Sequence, residues 1–226
     1  MPRGLVALVL VVAVSAGCGD NARLVDAAID AEPDAPDRPR GVPDLQFMAG
    51  RMVDTVQTSF ESFLADNCAV VEHCVNAEGP RRLLRFATVI ANLGTGDLAV
   101  GEPPLPGENN QWFVWSQCHM HHHFVNFASY ELYDRAGHMV TGRKQAFCLE
   151  DDEAVPPIIA PTRYSCLNQG ISRRWADVYG AGLPCQFIDT TGLPSGQYTL
   201  RVVVNPNSDL TETDYTNNVF TKIVTF

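Results

Sequence analysis

The chain has 226 residues, with 26 Asp and Glu against 16 Lys and Arg and a formal net charge of -10. That balance argues against a nucleic-acid partner, whose phosphates are gripped by Lys and Arg, and it favours cationic ligands such as amines and basic proteins through the long-range field. Only Lys144 and Lys222 are lysines, against 14 arginines, a compositional bias toward arginine.

The chain opens Met1-Pro2-Arg3-Gly4, runs through the apolar stretch Leu5 to Val14 and reaches the small residues Ser15-Ala16-Gly17 before Cys18. A basic start, about ten apolar residues and a small-residue site describe an export signal over residues 1–18, too short to span a bilayer as a permanent helix. The residues before Cys18 resemble a bacterial lipoprotein processing site, which would leave a lipidated Cys18 as the mature N-terminus. Ordinary cleavage near Ala16 is the alternative, because Ser15 stands three before Cys18 where that motif has leucine. The expected localisation is a cell-envelope lipoprotein, periplasmic or at the cell surface, or a secreted protein, touching a membrane only through the N-terminal lipid. Residues 19–42 are rich in Asp, Ala and Pro with almost nothing to bury, as in Asp34-Ala35-Pro36-Asp37, and read as a disordered tether. As a random coil it reaches roughly 25 to 30 Å.

Residues 43–226 suffice for one domain with a full core, and there 20 Asp and Glu stand against 12 Lys and Arg. Setting Cys18 aside leaves Cys68, Cys74, Cys118, Cys148, Cys166 and Cys185, which in an exported chain read as three disulfides whose pairing the spacing leaves open. No CxxC pair supports a cysteine-rich zinc site. Short runs bounded by Gly, Pro and Asn predict strands over 83–89, 112–117, 127–133, 138–148, 197–204 and 219–226. Tyr198, Leu200, Val202 and Val204 alternate with Gln197, Thr199, Arg201 and Val203, the period of a half-buried strand. Asp134-Arg135-Ala136-Gly137 supplies a hairpin turn. Residues 46–66 do not separate helix from strand, and residues 150–185 form a long irregular stretch of the kind that is functional or covalently tied down. The expected fold is all-β, an antiparallel β-sandwich core with long loops, stabilised by disulfides.

Four of the six histidines fall in Cys118-His119-Met120-His121-His122-His123. In an extended strand, residues at i, i+2 and i+4 share a face, so His119, His121 and His123 can converge on one ion while His122 points away. Neutral imidazoles suit copper, zinc, nickel or iron rather than calcium or magnesium, and a three-imidazole set leaves positions open for water, dioxygen or substrate. The spacing does not choose among those metals. His73 and His138 stand alone and read as ordinary structural residues.

From Gly41-Val42-Pro43-Asp44-Leu45 onward the chain resembles the catalytic domain of the lysyl oxidase family. The matching blocks run in order through the Cys68-x5-Cys74 pair, Arg82-Leu83-Leu84-Arg85-Phe86, the Cys118 to His123 segment and Gly142-Arg143-Lys144-Gln145-Ala146-Phe147-Cys148-Leu149-Glu150-Asp151. They continue with Asp177-Val178-Tyr179-Gly180, Cys185-Gln186-Phe187-Ile188-Asp189, Asn205-Pro206 and Asp214-Tyr215-Thr216-Asn217-Asn218. The resemblance implies copper on His119, His121 and His123, and a lysine tyrosylquinone made by joining Lys144 to Tyr179. It implies oxidative deamination of primary amines, peptidyl lysine among them, by dioxygen to an aldehyde with release of hydrogen peroxide and ammonia. Gly180 and Gly182 would let the Tyr179 segment move during that joining. For the base, the sequence offers only the neighbours Asp177 and His122. The implied disulfides are Cys68 with Cys118, Cys74 with Cys185 and Cys148 with Cys166. A further bridge of animal members lacks both its cysteines here, and Trp175 stands where one would be.

Glu212, Asp214, Asn217 and Asn218 crowd oxygen donors into seven residues, a set that suits calcium or, equally, a solvated Asx-rich turn between strands. The resemblance adds Asp44 and the Leu45 carbonyl to that site. The alternative to an amine oxidase is a non-catalytic, calcium-stabilised β-sandwich that binds metal or mediates adhesion, since Gly196-Gln197-Tyr198-Thr199-Leu200 and the Asp214 to Asn218 pattern also look like adhesion-type sandwich domains. A zinc hydrolase is a weaker third reading, because no HExxH-type base motif accompanies the histidines.

Overall fold

Runs of β-branched and aromatic residues favour a pleated, half-buried surface, and the computed structural model builds fourteen strands from them. It describes residues 41–157 and 161–226, except the side chains of Lys144 and Ala146. The export signal over 1–18, Cys18 and all but the last two residues of the tether over 19–42 lie outside the described residues. In chain order come β1 (Leu45–Phe47), helix α1 (Ala49–Met52) with a 3-10 turn over Val53–Thr55, β2 (Gln57–Phe63), helix α2 (Cys68–Val71), β3 (Gly79–Arg85), β4 (Thr88–Asn92) and β5 (Leu98–Gly101). Then follow β6 (Phe113–Ser116), β7 (His121–Tyr133), β8 (Met139–Phe147), β9 (Glu153–Ala154), β10 (Gln169–Ile171), β11 (Trp175–Tyr179), β12 (Phe187–Asp189), β13 (Gln197–Val204) and β14 (Val219–Thr225).

All pairings are antiparallel. The largest sheet orders β14-β13-β7-β6, with β8 also on β7; the others are β1-β4-β11-β9, β12-β3-β2 and the pair β10-β5. Leu200 and Val202 of β13, Tyr130 and Leu132 of β7 and Phe220 of β14 meet Leu84, Phe86, Val89 and Ala176 from the smaller sheets in one buried cluster. This is the sandwich interior, and each large side chain fully buried there contributes about 1.5–3 kcal/mol. Strand β4 is buried at all five positions, so Ile90 turns into a second cluster with Phe124, Phe147, Trp175 and Tyr179. No helix among the described residues is long and apolar enough to cross a membrane.

Three disulfides join Cys68 to Cys118, Cys74 to Cys185 and Cys148 to Cys166, the pairs that the family resemblance implies. The first ties α2 to the β6–β7 turn, the second ties the residue group after α2 to the segment between β11 and β12, and the third closes the loop after β8. Asn67 caps α2 by accepting the Ala69 N–H at 2.9 Å.

The structure departs from the sequence reading in several elements. The run over 83–89 breaks at Phe86-Ala87 into β3 and β4, which belong to different sheets. Residues 46–66 hold β1, α1, the 3-10 turn and β2, each of seven residues or fewer and so with too few periods to read. The irregular stretch over 150–185 contains β9, β10 and β11; β10 is buried throughout and β11 nearly so, which erases alternation. The Asp134 to Gly137 turn does close the β7–β8 hairpin, with Asp134 Oδ1 accepting from the Ala136 and His138 N–H groups.

The two main layers are joined by a polar knot. The Tyr130 hydroxyl meets Thr88 Oγ1 and Gln186 Oε1, both at 2.9 Å, while Gln186 Nε2 donates to Phe86 O and Thr88 Oγ1. Replacing Tyr130 by Phe leaves buried partners unmatched, and we expect a loss of about 1–3 kcal/mol, measured as a lower urea midpoint at unchanged slope.

Candidate metal centre and tyrosine pocket

Strand β7 starts at His121, so His121 and His123 share a face at i and i+2, whereas His119 does not extend that strand. It sits in the four-residue turn from β6, where Met120 takes a left-handed φ of 58° and points outward, 63% exposed. The Ser116 hydroxyl accepts the His119 N–H at 3.0 Å and the Ser116 carbonyl accepts the Met120 N–H at 2.8 Å. The turn folds His119 back over the strand: ring centroids lie 5.6 Å from His121 and 5.1 Å from His123, and His121 lies 5.1 Å from His123. Convergence is as expected from the sequence, but a turn rather than an extended i+4 strand position produces it.

His119 Nδ1 stands 3.1 Å from His123 Nε2. Ligand nitrogens about 2.0–2.1 Å from one ion stand at such a separation, and ligand atoms of all three histidines lie within 4.8 Å of one another. Burial is the main force holding the His121 and His123 imidazoles neutral. It lowers His121, with the His119 charge next, and takes His123 down to about 3, with His121 and His119 adding to the effect. His119 Nε2 is buried without a hydrogen-bond partner among the described residues. Imidazole nitrogens packed together, one of them orphaned, fit a transition-metal ion. His122 faces the other way, buried against Trp115 and Phe113 with Nε2 2.8 Å from Glu108 O.

Tyr179, the last residue of β11, is 5% exposed and stacks on Phe147 at 4.2 Å and 23°; Phe147 in turn stands 6.1 Å from the His123 ring. Tyr179, Phe147, His119 and His121 line one cavity of about 470 Å³, with Glu150 and Asp152 also on its wall. The Tyr179 O–H is shared between the Asp177 carboxylate and the Cys148 carbonyl, the latter at 3.2 Å. Asp177 is wholly buried, and desolvation raises its carboxyl well above the usual range; the Tyr179 phenol is raised likewise, by burial first and Asp177 second. The phenol therefore stays the donor. Burial also raises Glu150 and Asp152. Lys144 pairs with Ser129 of β7 in backbone register, three residues before Phe147. Its neighbours Arg143 and Gln145 line a second cavity of about 300 Å³ with Glu72, His119 and His123. A larger open recess of about 570 Å³ beside Tyr133, Gln197 and Arg201 contains none of the clustered histidines.

Sequence reasoning named Asp177 only as a neighbour and passed over Phe147, Glu150, Asp152 and Glu72. The alternation of Arg143, Gln145 and Phe147 along β8 was the available signal for Phe147. Glu72 gave none, hidden in the spacer between Cys68 and Cys74.

Four of the calcium candidates, Asp44, Glu212, Asn217 and Asn218, also lie in one hydrogen-bonded region at the start of β1. Glu212 accepts from Leu45 N at 2.7 Å, Asn205 Nδ2 at 2.6 Å and Asn218 Nδ2 at 2.8 Å, and Asn217 Nδ2 donates to Asp44 Oδ1 at 3.1 Å. Burial raises the Glu212 carboxyl. Asn217 Oδ1 and Asn218 Oδ1 are buried without partners among the described residues, which fits a hard cation. Asp214 is exposed and accepts from Thr216 N and Oγ1, both at 2.7 Å.

The lysyl oxidase family model matches residues 43–226. Lysyl oxidase homolog 2B of Danio rerio is 36% identical over 202 residues, covering 85% of this chain and 25% of its own length. Lysyl oxidase homolog 2 of Homo sapiens is 35% identical over 190 residues and that of Gallus gallus 36% over 190, each covering 78% of this chain and 24% of its own length. The chain belongs to the lysyl oxidase family. It spans about a quarter of the length of the curated relatives it matches.

His123 generates an acid-sensitivity prediction. Its native value is depressed to about 3 from the ordinary 6.5, so below 6.5 the unfolded chain takes up a proton that the native protein refuses. Stability of the metal-free protein should fall as pH drops from 6.5 toward 3, and His123→Gln should flatten that slope by up to one proton equivalent in urea unfolding measured across the window.

Proposed function

We propose that the chain is a copper- and quinone-dependent amine oxidase, with copper on His119, His121 and His123 and the quinone made from Tyr179 joined to Lys144. The supporting observation is that Tyr179 and two of the three histidines line one cavity. Such a cofactor pair, held by His119, His121, His123, Tyr179 and Lys144, would supply a reactive carbonyl and a route for two electrons to dioxygen, for the overall conversion of amine, water and dioxygen to aldehyde, ammonia and hydrogen peroxide. Asp177 holds the Tyr179 oxygen and is placed to take its proton. Phe147 keeps the ring flat against the wall that leads to His123. Glu150 and Asp152 give the cavity a negative lining that draws in an ammonium group. Substrates are primary amines, including lysine side chains of proteins. Three disulfides suit an oxidising compartment, and a lipidated Cys18 with the tether over 19–42 would hold the domain at the cell envelope.

Phenylhydrazine, which traps reactive quinone carbonyls, should give copper-loaded protein a visible absorption band. The band should vanish in Lys144→Arg and Tyr179→Phe while both variants keep their copper. Amine oxidation retained by Lys144→Arg would sink the quinone assignment, and no band in folded, copper-loaded protein would favour the non-catalytic metal-binding sandwich.

The same reading places calcium among Asp44, the Leu45 carbonyl, Glu212, Asp214, Asn217 and Asn218. Calcium should raise the melting temperature of the wild-type protein by several degrees and should not do so for Asn218→Ala; equal shifts in both would count against the site.

A further inference from the structure

We propose that Glu72 is the positioning residue of the metal centre, accepting the Nε2–H of His119 and thereby presenting Nδ1 of that ring to the ion. The proposal rests on the reading of the three histidines as a metal site. The orientation of the His119 ring carries it. Nδ1 is the atom turned toward His123, at 3.1 Å, and the opposite nitrogen, Nε2, is buried and unpartnered with Glu72 Oε2 as the facing carboxylate at 4.0 Å. A ligating imidazole commonly donates its other N–H to a carboxylate, which fixes the tautomer and strengthens the ligand.

Glu72 is built in rather than free to wander. It is the residue after α2, and its N–H donates to the Cys68 carbonyl at 2.8 Å. Cys68 is bonded to Cys118, adjacent to His119, and Cys74 is bonded to Cys185, so two covalent links bracket the carboxylate beside the histidine turn. Its Oε1 accepts from the Ser116 hydroxyl, whose oxygen in turn accepts the His119 N–H at 3.0 Å. Ser116 thus couples the carboxylate to the backbone of the ligand it orients, leaving Oε2 for the ring. The same charge faces Arg143, whose Nε and Nη1 are buried without hydrogen-bond partners among the described residues, across the 300 Å³ cavity. One carboxylate therefore offsets a buried guanidinium and orients a ligand. The 4.0 Å gap is longer than a hydrogen bond and should shorten when His119 takes up the ion.

The test uses zinc as a diamagnetic probe on the full chain. Long-range 15N–1H spectra of the zinc-loaded wild type should show His119 protonated at Nε2 and ligated through Nδ1; ligation through Nε2 would overturn the proposal. Glu72→Gln, which keeps the shape and an acceptor for Ser116, should bind zinc and copper roughly 10–100-fold more weakly in chelator competition. Unchanged affinity in a variant with all three disulfides formed would also overturn it. Failure of the wild type to bind either metal would instead remove the metal reading itself, and the proposal with it.

Discussion

The bond between Cys68 and Cys118 fixes the turn on which His119 rides. Without it, a four-residue turn with a non-glycine residue at positive φ would be held chiefly by the two Ser116 contacts, and His119 would have no reason to stay folded over β7. The same bond brings α2 alongside, so that Glu72 arrives at the ring from a segment 47 residues earlier in the chain. Cross-links over such spans restrict the unfolded chain strongly. Here they also set the distances between groups that carry no direct hydrogen bond to one another.

Tyr179 is placed by different means. It ends a buried strand, and its ring belongs to the apolar cluster around Phe124, Phe147 and Trp175, while its hydroxyl is turned back on Asp177 two residues earlier. An i, i+2 pair on one face of a strand makes the tyrosine and its proton acceptor a single unit, so a shift of β11 moves both together. The segment that follows begins with Gly180, beside which a Cβ would meet nothing within 4 Å, and ends at Cys185, bonded to Cys74. The ring is therefore seated at the junction of a rigid strand and a short open segment anchored at its far end.

The histidine cluster was legible in the sequence because three imidazoles at alternate positions are rare by accident, although the turn at His119 was not. Strand β13 was legible because it is buried on one face and leaves Gln197, Thr199 and Arg201 at least partly exposed. Strands β4 and β11 were not, since Thr88 to Asn92 are all buried and alternation has nothing to contrast. Glu150 and Asp152 read as ordinary acidic residues until the cavity set them beside Tyr179, and Asp177 stood out only by its nearness to Tyr179 in the chain. Glu72 and Arg143 owe their roles wholly to contacts distant in the chain, which no periodicity encodes.

Among the bonds that fasten the start of β1, Val42 O accepts from Thr95 N at 2.9 Å, Pro43 O from Thr213 N at 2.9 Å, and Leu45 N donates to Glu212 at 2.7 Å. These bonds reach two separate parts of the domain, the loop after β4 and the loop before β14. A pull on the chain from its N-terminal side is thus shared between two anchor lines before it reaches β1 itself. The line through the loop after β4 continues into β4, whose Thr88 pairs with Tyr179 of β11, so load applied ahead of β1 is divided between the sheet that seats the tyrosine and the connection that leads into β14.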